Sequence, residues 1–435
     1  LKKKFISVGI IGFGTVGTGA AKVLLRNASL LKERLGFPIR LKRVSDIDIK
    51  RDRGIRLPKG VLTDDTQGLI NDPEIDIVVE LIGGIHPAKE FILQAIGNKK
   101  HVVTANKALL ATEGKDIFGE AKRRGVTVGF EAAVAGGIPI IKVLKEGLIA
   151  NRINAVYGII NGTSNYILTK MTDENVDFKS ALKEAQGLGY AEADPTFDIE
   201  GIDSAHKLTI LASLAYGIPL SFKKVYKEGI TKITPEDIEF ACELGYKIKL
   251  LAIAKATGGE IELRVHPTMV PKGYLISKVD GVLNAIYVQG DAVGETLYYG
   301  RGAGDMPTGS AVVSDICDIA KDIMTGVSPT MQMSISETAP AIRHMDEVES
   351  MYFFRFSALD KPGVLSKISG IFGKNNISIA SVIQKGRRVG EAVPLVILTH
   401  KAKEKDVKIA IKEIDRLPVV SEKTRFIRVE DKEGS

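Results

Sequence analysis

Between Gly189 and Lys207 the sequence carries Glu192, Asp194, Asp198, Glu200 and Asp203, a dense run of carboxylates just ahead of a helical pattern. Asp203 and Lys207 stand four residues apart and therefore project from one helical face. Read from spacing alone, this is most simply an exposed i,i+4 pair worth about 0.3–0.5 kcal/mol. The residue types also permit a sharper chemistry. Oxidising an alcohol requires a proton acceptor at the hydroxyl while hydride departs, and a lysine that is partly desolvated or crowded by other cations can serve. A substrate ammonium would in turn call for carboxylates. Lys107 is a second candidate because it follows a strand end, where ligands of open α/β sheets bind. His206 points about 100° away from Lys207 on a helix and reads as packing or surface.

A hydride acceptor is suggested at the other end of the chain. The run Gly12, Phe13, Gly14, Thr15, Val16, Gly17 closes a β-branched apolar stretch, residues 5–11, and opens a helical one that reaches to about residue 35. That context is what a GxGxxG sequence needs to mean a dinucleotide site. Gly12 permits the tight turn, Gly14 lets the backbone approach a pyrophosphate, and Gly17 permits close helix–strand packing, with the helix N-terminus facing the phosphates. Past the second strand, Asp46 and Asp48 would favour NAD, whereas Lys50, Arg51 and Arg53 could hold the 2′-phosphate of NADP. The choice between the two stays open.

The elements that must position these groups fall into three regions. Strands are expected at 5–11, 39–45, 76–82, 101–104 and 126–130 with helices between several of them, an alternation that predicts a Rossmann-type, doubly wound α/β domain. From about 137 a helix near 139–149 and strands near 152–160, 261–270 and 283–290 predict a separate α+β substrate and dimerisation domain, up to about 304. A helical pattern at 308–325 returns to the first domain. After a polar connection near 340–349, strands at 351–358, 377–384, 391–399 and 423–429 and helices at 364–374 and 403–415 make a ferredoxin-like βαββαβ module over 350–430. The expected domains are thus 1–136 with about 305–340, then 137–304, then 350–430.

Composition narrows the class. With 435 residues, 44% hydrophobic and 26% charged, the chain is too long for one core and too apolar for disorder. No apolar run approaches the ~18 residues of a membrane span and the N-terminus does not read as a signal peptide, so a cytoplasmic protein is expected. Cys242 and Cys317 are far apart and read as ordinary buried thiols, without a disulfide framework or a metal pair. The net charge of +7 is spread along the chain, and clusters such as Lys122 to Arg124 and Lys385 to Arg388 read as solvated faces and turns; nucleic-acid binding is not expected.

Five separated blocks, residues 101–111, 131–140, 161–168, 189–207 and 300–309, together with Gly12 to Gly17, closely resemble the homoserine dehydrogenase family in its own order, over essentially residues 5–325. The resemblance implies NAD(P)-dependent interconversion of L-homoserine and L-aspartate 4-semialdehyde, in threonine and methionine biosynthesis. It implies Lys207 as proton donor or acceptor, Lys107 as a second lysine beside the reacting oxygen and the nicotinamide, and Glu192 and Asp203 as ligands of the substrate amino group. Asp198 becomes a further acid of that pocket, Gly189 a backbone contact, and Thr104 and Gly309 positions lining the cofactor. It also implies a monovalent-cation site, usually sodium, on Glu131, Val134, Gly136 and Ile138. A carboxylate with loop carbonyls suits a hard cation. Many relatives have an arginine close to a single acid after the second strand, where this chain has Ile47 between Asp46 and Asp48. Because the sequence begins at the dinucleotide domain, no fused kinase is expected.

The C-terminal module is similar to the ACT family of small-molecule-binding domains, carried by the βαββαβ order and by Asp360, Lys361, Pro362, Gly363, Val364 and Leu365. That resemblance implies an amino-acid effector, threonine by pathway logic, at the loop after the first strand, with Asn375 and Asn376 near a subunit interface in a homodimer or homotetramer. Deleting residues after about 345 is expected to spare catalysis and abolish inhibition. Two rivals remain. One is an aldehyde dehydrogenase working through a cysteine, which neither Cys242 nor Cys317 supports in its context. The other is a non-catalytic metabolite sensor built from dinucleotide and ACT domains, which the intact lysines and carboxylates disfavour.

Overall fold

The computed structural model describes residues 3–326, 339–384 and 391–430. Two compact units emerge, one from Leu1–Gly162, Ile202–Val225 and Val282–Pro340, the other from Thr163–Gly201, Tyr226–Gly281 and Ala341–Ser435. The middle sequence segment is therefore shared between them.

The first unit is built on a parallel sheet of β1 (Ile6–Ile11), β2 (Ile39–Ser45), β3 (Leu62–Thr63), β4 (Ile77–Glu80), β5 (His101–Thr104) and β6 (Val128–Gly129), in the order β3-β2-β1-β4-β5-β6. Every residue of β1 and β4 is buried, as expected for central strands covered on both faces. The chain order reverses between β1 and β4, the switch point at which doubly wound sheets bind ligands. After β1 comes α1 (Thr15–Arg26), separated at Asn27 from α2 (Ala28–Leu35); α3 (Thr66–Asn71), α4 (Ala88–Gly97) and α5 (Lys107–Arg124) are the crossovers that follow.

The same unit holds an antiparallel sheet of β7 (Ile153–Ile159), β8 (Leu283–Gly290) and β9 (Gly294–Arg301), with α6 (Ile202–Tyr216) packed on β7. Sequence reading does not anticipate β9, which ends where the 300–309 block begins. The helix expected at 139–149 is present over residues 140–147, as an α turn at Ile140–Lys142 that widens into a π turn over Val143–Gly147. Long helix α7 (Asp305–Thr325) returns to α1 as expected, and it comes very close. A Cβ on Gly19 would lie 1.9 Å from the Asp305 carbonyl oxygen, and one on Gly309 would lie 2.5 Å from the Gly19 carbonyl carbon.

The second unit contains the helices Gly162–Glu174, Phe178–Gly187 and Pro235–Glu243 and a long antiparallel hairpin, Tyr246–Thr257 with Glu260–Pro271. Sequence reading misses the first of these strands. Its middle, Ile248 to Ala254, is buried without a break even at Lys249, and the short apolar run Leu250 to Ala254 has no period that separates strand from helix. The C-terminal module has the expected βαββαβ order: Glu349–Leu359, Val364–Lys374, Ile379–Gln384, Ala392–Thr399, Glu404–Ile414 and Arg425–Val429. Tyr352, Phe354, Phe356 and Phe372 form its aromatic core.

This module is not a detachable appendage. Its last strand pairs in parallel with the hairpin, Thr268 opposite Arg428 and Met269 opposite Val429. Arg428, only 1% exposed, donates to Glu404 at 2.5 and 2.8 Å and to Glu228 at 2.9 Å. Arg264 on the hairpin donates to Glu430 at 3.0 Å, and Arg355 on the module's first strand donates to Asp237 at 2.6 Å. A cut near 345 would leave Glu228, Asp237 and Arg264 without these partners, against the clean truncation expected from sequence.

Candidate active site

Helix α6 is buried from Asp203 to Ser213, so the Asp203/Lys207 face cannot be the exposed pair that spacing suggests. Lys207 Nζ donates to Asp203 Oδ2 at 2.7 Å and to the Ile160 carbonyl at 2.7 Å. Asn161 Nδ2 donates to the same Asp203 oxygen at 2.9 Å, and Lys107 Nζ reaches Asp203 Oδ1 at 3.1 Å. Burial pushes the Asp203 carboxyl upward, but Lys207, Lys107 and the hydrogen bonds from Lys207 and Asn161 outweigh it and hold the group below the ordinary carboxylate range. One buried carboxylate thus gathers two ammonium groups. The lysines converge from different elements, Lys207 from the first turns of α6 and Lys107 from the first residue of α5, and the Lys107 side chain keeps 41% of its surface exposed. His206 stacks on Phe222 at 4.2 Å, a packing role.

Of the residues expected to act together, Lys107, Asp203 and Lys207 are joined within the first unit. Gly189, Glu192 and Asp198 belong to the second; Gly189 and Glu192 are exposed there, and the Asp198 carbonyl accepts from Ser164 at 2.8 Å. Asn161 and the Ile160 carbonyl had no assigned role. They follow β7 and meet α6 only through the tertiary fold.

The dinucleotide fingerprint has the geometry its glycines require. Gly12 has φ +97°, and a Cβ there would lie 2.7 Å from the Leu81 backbone; a Cβ on Gly17 would meet the Gly12 carbonyl at 2.0 Å. Nothing stands within 4 Å of a Cβ on Gly14, which leaves its face open. Helix α1 has no capping side chain and no acid in its first turn, so the N–H groups at Thr15, Val16 and Gly17 suit a pyrophosphate. Three expectations shift in detail. The Phe13 N–H is spent on Asp46 Oδ2 at 2.6 Å. Thr104 is wholly buried, with its hydroxyl given to Glu80. Gly309 owes its lack of a side chain to α1. Asp46 is likewise engaged: Arg53 pairs with it at 3.0 Å and also donates to the Phe13 carbonyl at 2.5 Å.

The residues expected around a cation centre on one buried carboxylate. Glu131 is 1% exposed and accepts from the Ile141 and Lys142 amides at 2.8 and 2.9 Å. Burial raises its pKa, and among the described residues no side-chain cation lies within ion-pair distance of it. Val134, Gly136 and Ile138 share the adjoining loop, where Ala135 (φ 55°) and Gly136 (φ 50°) turn the backbone through the left-handed region. Among the described residues no cluster of three His, Cys, Asp or Glu side chains could hold a metal, so any cation here would rely on carbonyls. Behind Glu131 lies Asp315, missed in the sequence, which accepts from the Glu131 amide at 2.8 Å and is pushed up to about 7 by burial.

In the C-terminal module, residues 358–365 line a cavity of about 230 Å³ with Gln384, Val393 and Leu395. Gly363 there has φ +83°, and the following helix has no side-chain cap. Asn375 caps its own helix by donating to the Ile371 carbonyl at 2.9 Å. The Lys385 to Arg388 cluster lies outside the described residues. Cys242 and Cys317 are free and partly buried, and burial raises the Cys317 thiol to about 11.

Three family models match this chain: "Homoserine dehydrogenase, NAD binding domain" over residues 12–131, "Homoserine dehydrogenase" over 139–317, and "ACT domain" over 352–419. A homoserine dehydrogenase of Neisseria gonorrhoeae is 49% identical over 431 residues, 98% of this chain and 99% of that protein. A crystal structure of a homoserine dehydrogenase from Thiobacillus denitrificans superposes with TM-score 0.93 at 50% identity, covering 98% of this chain and 99% of that one. A hyperthermophilic archaeal homoserine dehydrogenase mutant in complex with NADPH gives TM-score 0.62 at 26% identity over 75% of this chain and 99% of that one.

Proposed function

The chain belongs to the homoserine dehydrogenase family, an NAD(P)-dependent oxidoreductase, and from that premise we propose how its residues divide the work on L-homoserine and L-aspartate 4-semialdehyde. The observation that carries the proposal is the buried Asp203/Lys207 pair joined by the half-exposed Lys107, held by contacts of 2.7–3.1 Å. Bound at the carboxyl end of the parallel sheet, NAD or NADP supplies the hydride acceptor or donor. Lys207 exchanges the proton of the substrate oxygen, fixed in direction by Asp203 and the Ile160 carbonyl. Lys107 steadies that oxygen as negative charge gathers on it. Asp203 keeps both ammonium groups in place and, with Glu192, Asp198 and the Gly189 backbone, is assigned to the substrate amino group by family resemblance.

Glu131, with the carbonyls of Val134, Gly136 and Ile138, holds a monovalent cation, sodium by family resemblance, supported by the burial of the Glu131 carboxylate with Lys142 and Lys145 near it but no cation within ion-pair distance among the described residues. The cation would fix the loop that follows β6. The loop cavity at Asp360 to Leu365 takes an amino-acid effector, threonine by pathway logic, and the enzyme works in threonine and methionine biosynthesis as a cytoplasmic homodimer or homotetramer. Among the described residues no helix is long and apolar enough to cross a membrane.

The test is homoserine-dependent formation of reduced nicotinamide. Lys207→Ala is expected to lower turnover at least ~10²-fold in protein that is still folded, with a lowered melting temperature because the buried Asp203 loses one of its two ammonium partners. Near-normal turnover in the folded variant would remove Lys207 from the chemistry, and no turnover by the parent chain with either cofactor would favour a metabolite sensor instead.

A further inference from the structure

Glu80, the last residue of β4, has no part in the reading above, yet it is a carboxylate with 0% exposure at the carboxyl end of the sheet. Burying an acid without an ion-pair partner costs several kcal/mol, and burial raises the Glu80 pKa. What satisfies it is a set of donors from three places. Its Oε2 accepts from Thr104 Oγ1 at 2.7 Å, and its Oε1 accepts from the Ile82 and Gly83 amides at 2.9 and 3.3 Å. Thr104 Oγ1 in turn accepts from the Asn106 amide at 3.0 Å.

Asn106 closes the circuit. Its Oδ1 accepts from the Leu109 amide at 3.1 Å, capping α5, while its Nδ2 donates to the Gly84 carbonyl at 2.6 Å. Gly84 adjoins Gly83, which is bonded to Glu80, so the ring runs from Glu80 through Thr104 and Asn106 to Gly84 and back. Gly83 and Gly84 have φ 75° and 72°, the left-handed conformation that turns this loop back on itself. The residue immediately after Asn106 is Lys107, the first of α5.

We propose that Glu80 is a positioning residue for the reaction, clamping the start of α5, and with it Lys107, to the 81–84 loop as one rigid assembly. The proposal rests on Lys107 acting at the reacting oxygen. A carboxylate is the side chain of this size that accepts from three donors while donating to none. An amide in its place would turn an N–H toward Thr104 and force that hydroxyl to give up its donor role. Because the ring fixes a helix start and not merely a side chain, loosening it displaces the Lys107 backbone itself, and misplacement on the order of 1 Å costs catalysis about 10²-fold.

The experiment is a double-mutant cycle on the full chain, reading kcat and KM for homoserine and cofactor with melting temperature alongside. Glu80→Gln is expected to lower kcat about 10- to 100-fold with a smaller change in homoserine KM, and to cause less than about 3-fold further loss when Lys107 is already Ala. Should Glu80→Gln fail to fold, Asn106→Asp makes the same test from the far side of the ring, because it keeps the cap acceptor and loses the donor to Gly84. Normal turnover in the ring variants, or an equal loss with and without Lys107, would overturn the proposal while leaving a strong Lys107→Ala defect intact. Normal turnover in Lys107→Ala itself would overturn the underlying reading of Lys107, and the proposal with it.

Discussion

Asp203 works as a counter-ion to two lysines and as acceptor to Asn161, and its titration tells how. Its folded pKa lies below the ordinary 3.8, so the stability it contributes is fully present above that value and is lost as pH falls through it toward the folded pKa. Asp203→Asn leaves Lys207 buried without its charge partner and is expected to cost about 3 kcal/mol at neutral pH. That gap should narrow below about pH 4; urea titrations showing a gap constant with pH would contradict the assignment. Arg53 sets a second residue-scale question. Its pairing with Asp46 at 3.0 Å screens the repulsion an acid would exert on a 2′-phosphate. Arg53→Ala should therefore raise KM for NADP about 10-fold more than for NAD, the worth of one charge-assisted contact. Equal effects on both would show that Arg53 only braces the loop.

At the scale of elements, α1 and α7 are held together by the absence of side chains. Gly19 and Gly309 let two backbones approach where a Cβ would collide with main-chain atoms that cannot swing aside. Gly309→Ala is expected to destabilise the fold by about 1–3 kcal/mol through forced separation of these helices. Gly119, inside α5, provides the contrast, since the methyl of an alanine there would meet nothing within 4 Å: Gly119→Ala should stabilise by about 0.5–1 kcal/mol. Denaturant melts giving both variants the same sign would refute the packing argument. The helix start at Ile140–Lys142 belongs to this scale as well, since its first-turn amides, those of Ile141 and Lys142, are given to Glu131.

For the whole molecule, the question is how a C-terminal module could influence chemistry performed elsewhere. Within the second unit its last strand continues the hairpin sheet, and Arg428 is shared between Glu404 of the module and Glu228 outside it. Removing one partner from such a buried network leaves charges uncompensated, so Arg428→Ala should cost about 3–5 kcal/mol, visible as an earlier unfolding midpoint. For the same reason effector binding is better probed in the loop than by truncation. Gly363→Val, at φ +83°, distorts the turn that shapes the cavity and is expected to shift threonine inhibition at least about 10-fold. Unchanged inhibition would move the effector site away from this loop.

The sequence by itself determined a great deal here, because the signals involved are local. The glycine fingerprint between a buried strand and a helix, the parallel alternation, and the βαββαβ order all follow from period and turn chemistry along a few neighbouring residues. Strands such as His101–Thr104 and Leu283–Gly290 and the helix Val364–Lys374 fall where the pattern puts them. Only the tertiary structure decided what depends on burial and on meetings between distant segments. Spacing describes Asp203 and Lys207 as a surface pair; packing of α6 makes them a buried one and brings in Lys107, Asn161 and the Ile160 carbonyl. Strand Tyr246–Thr257 has no period to read because both its faces are covered through the middle. Glu80, Asp315 and Arg428 are ordinary charged residues in a string of letters, and their roles exist only because the fold takes them out of water and must then supply each with partners.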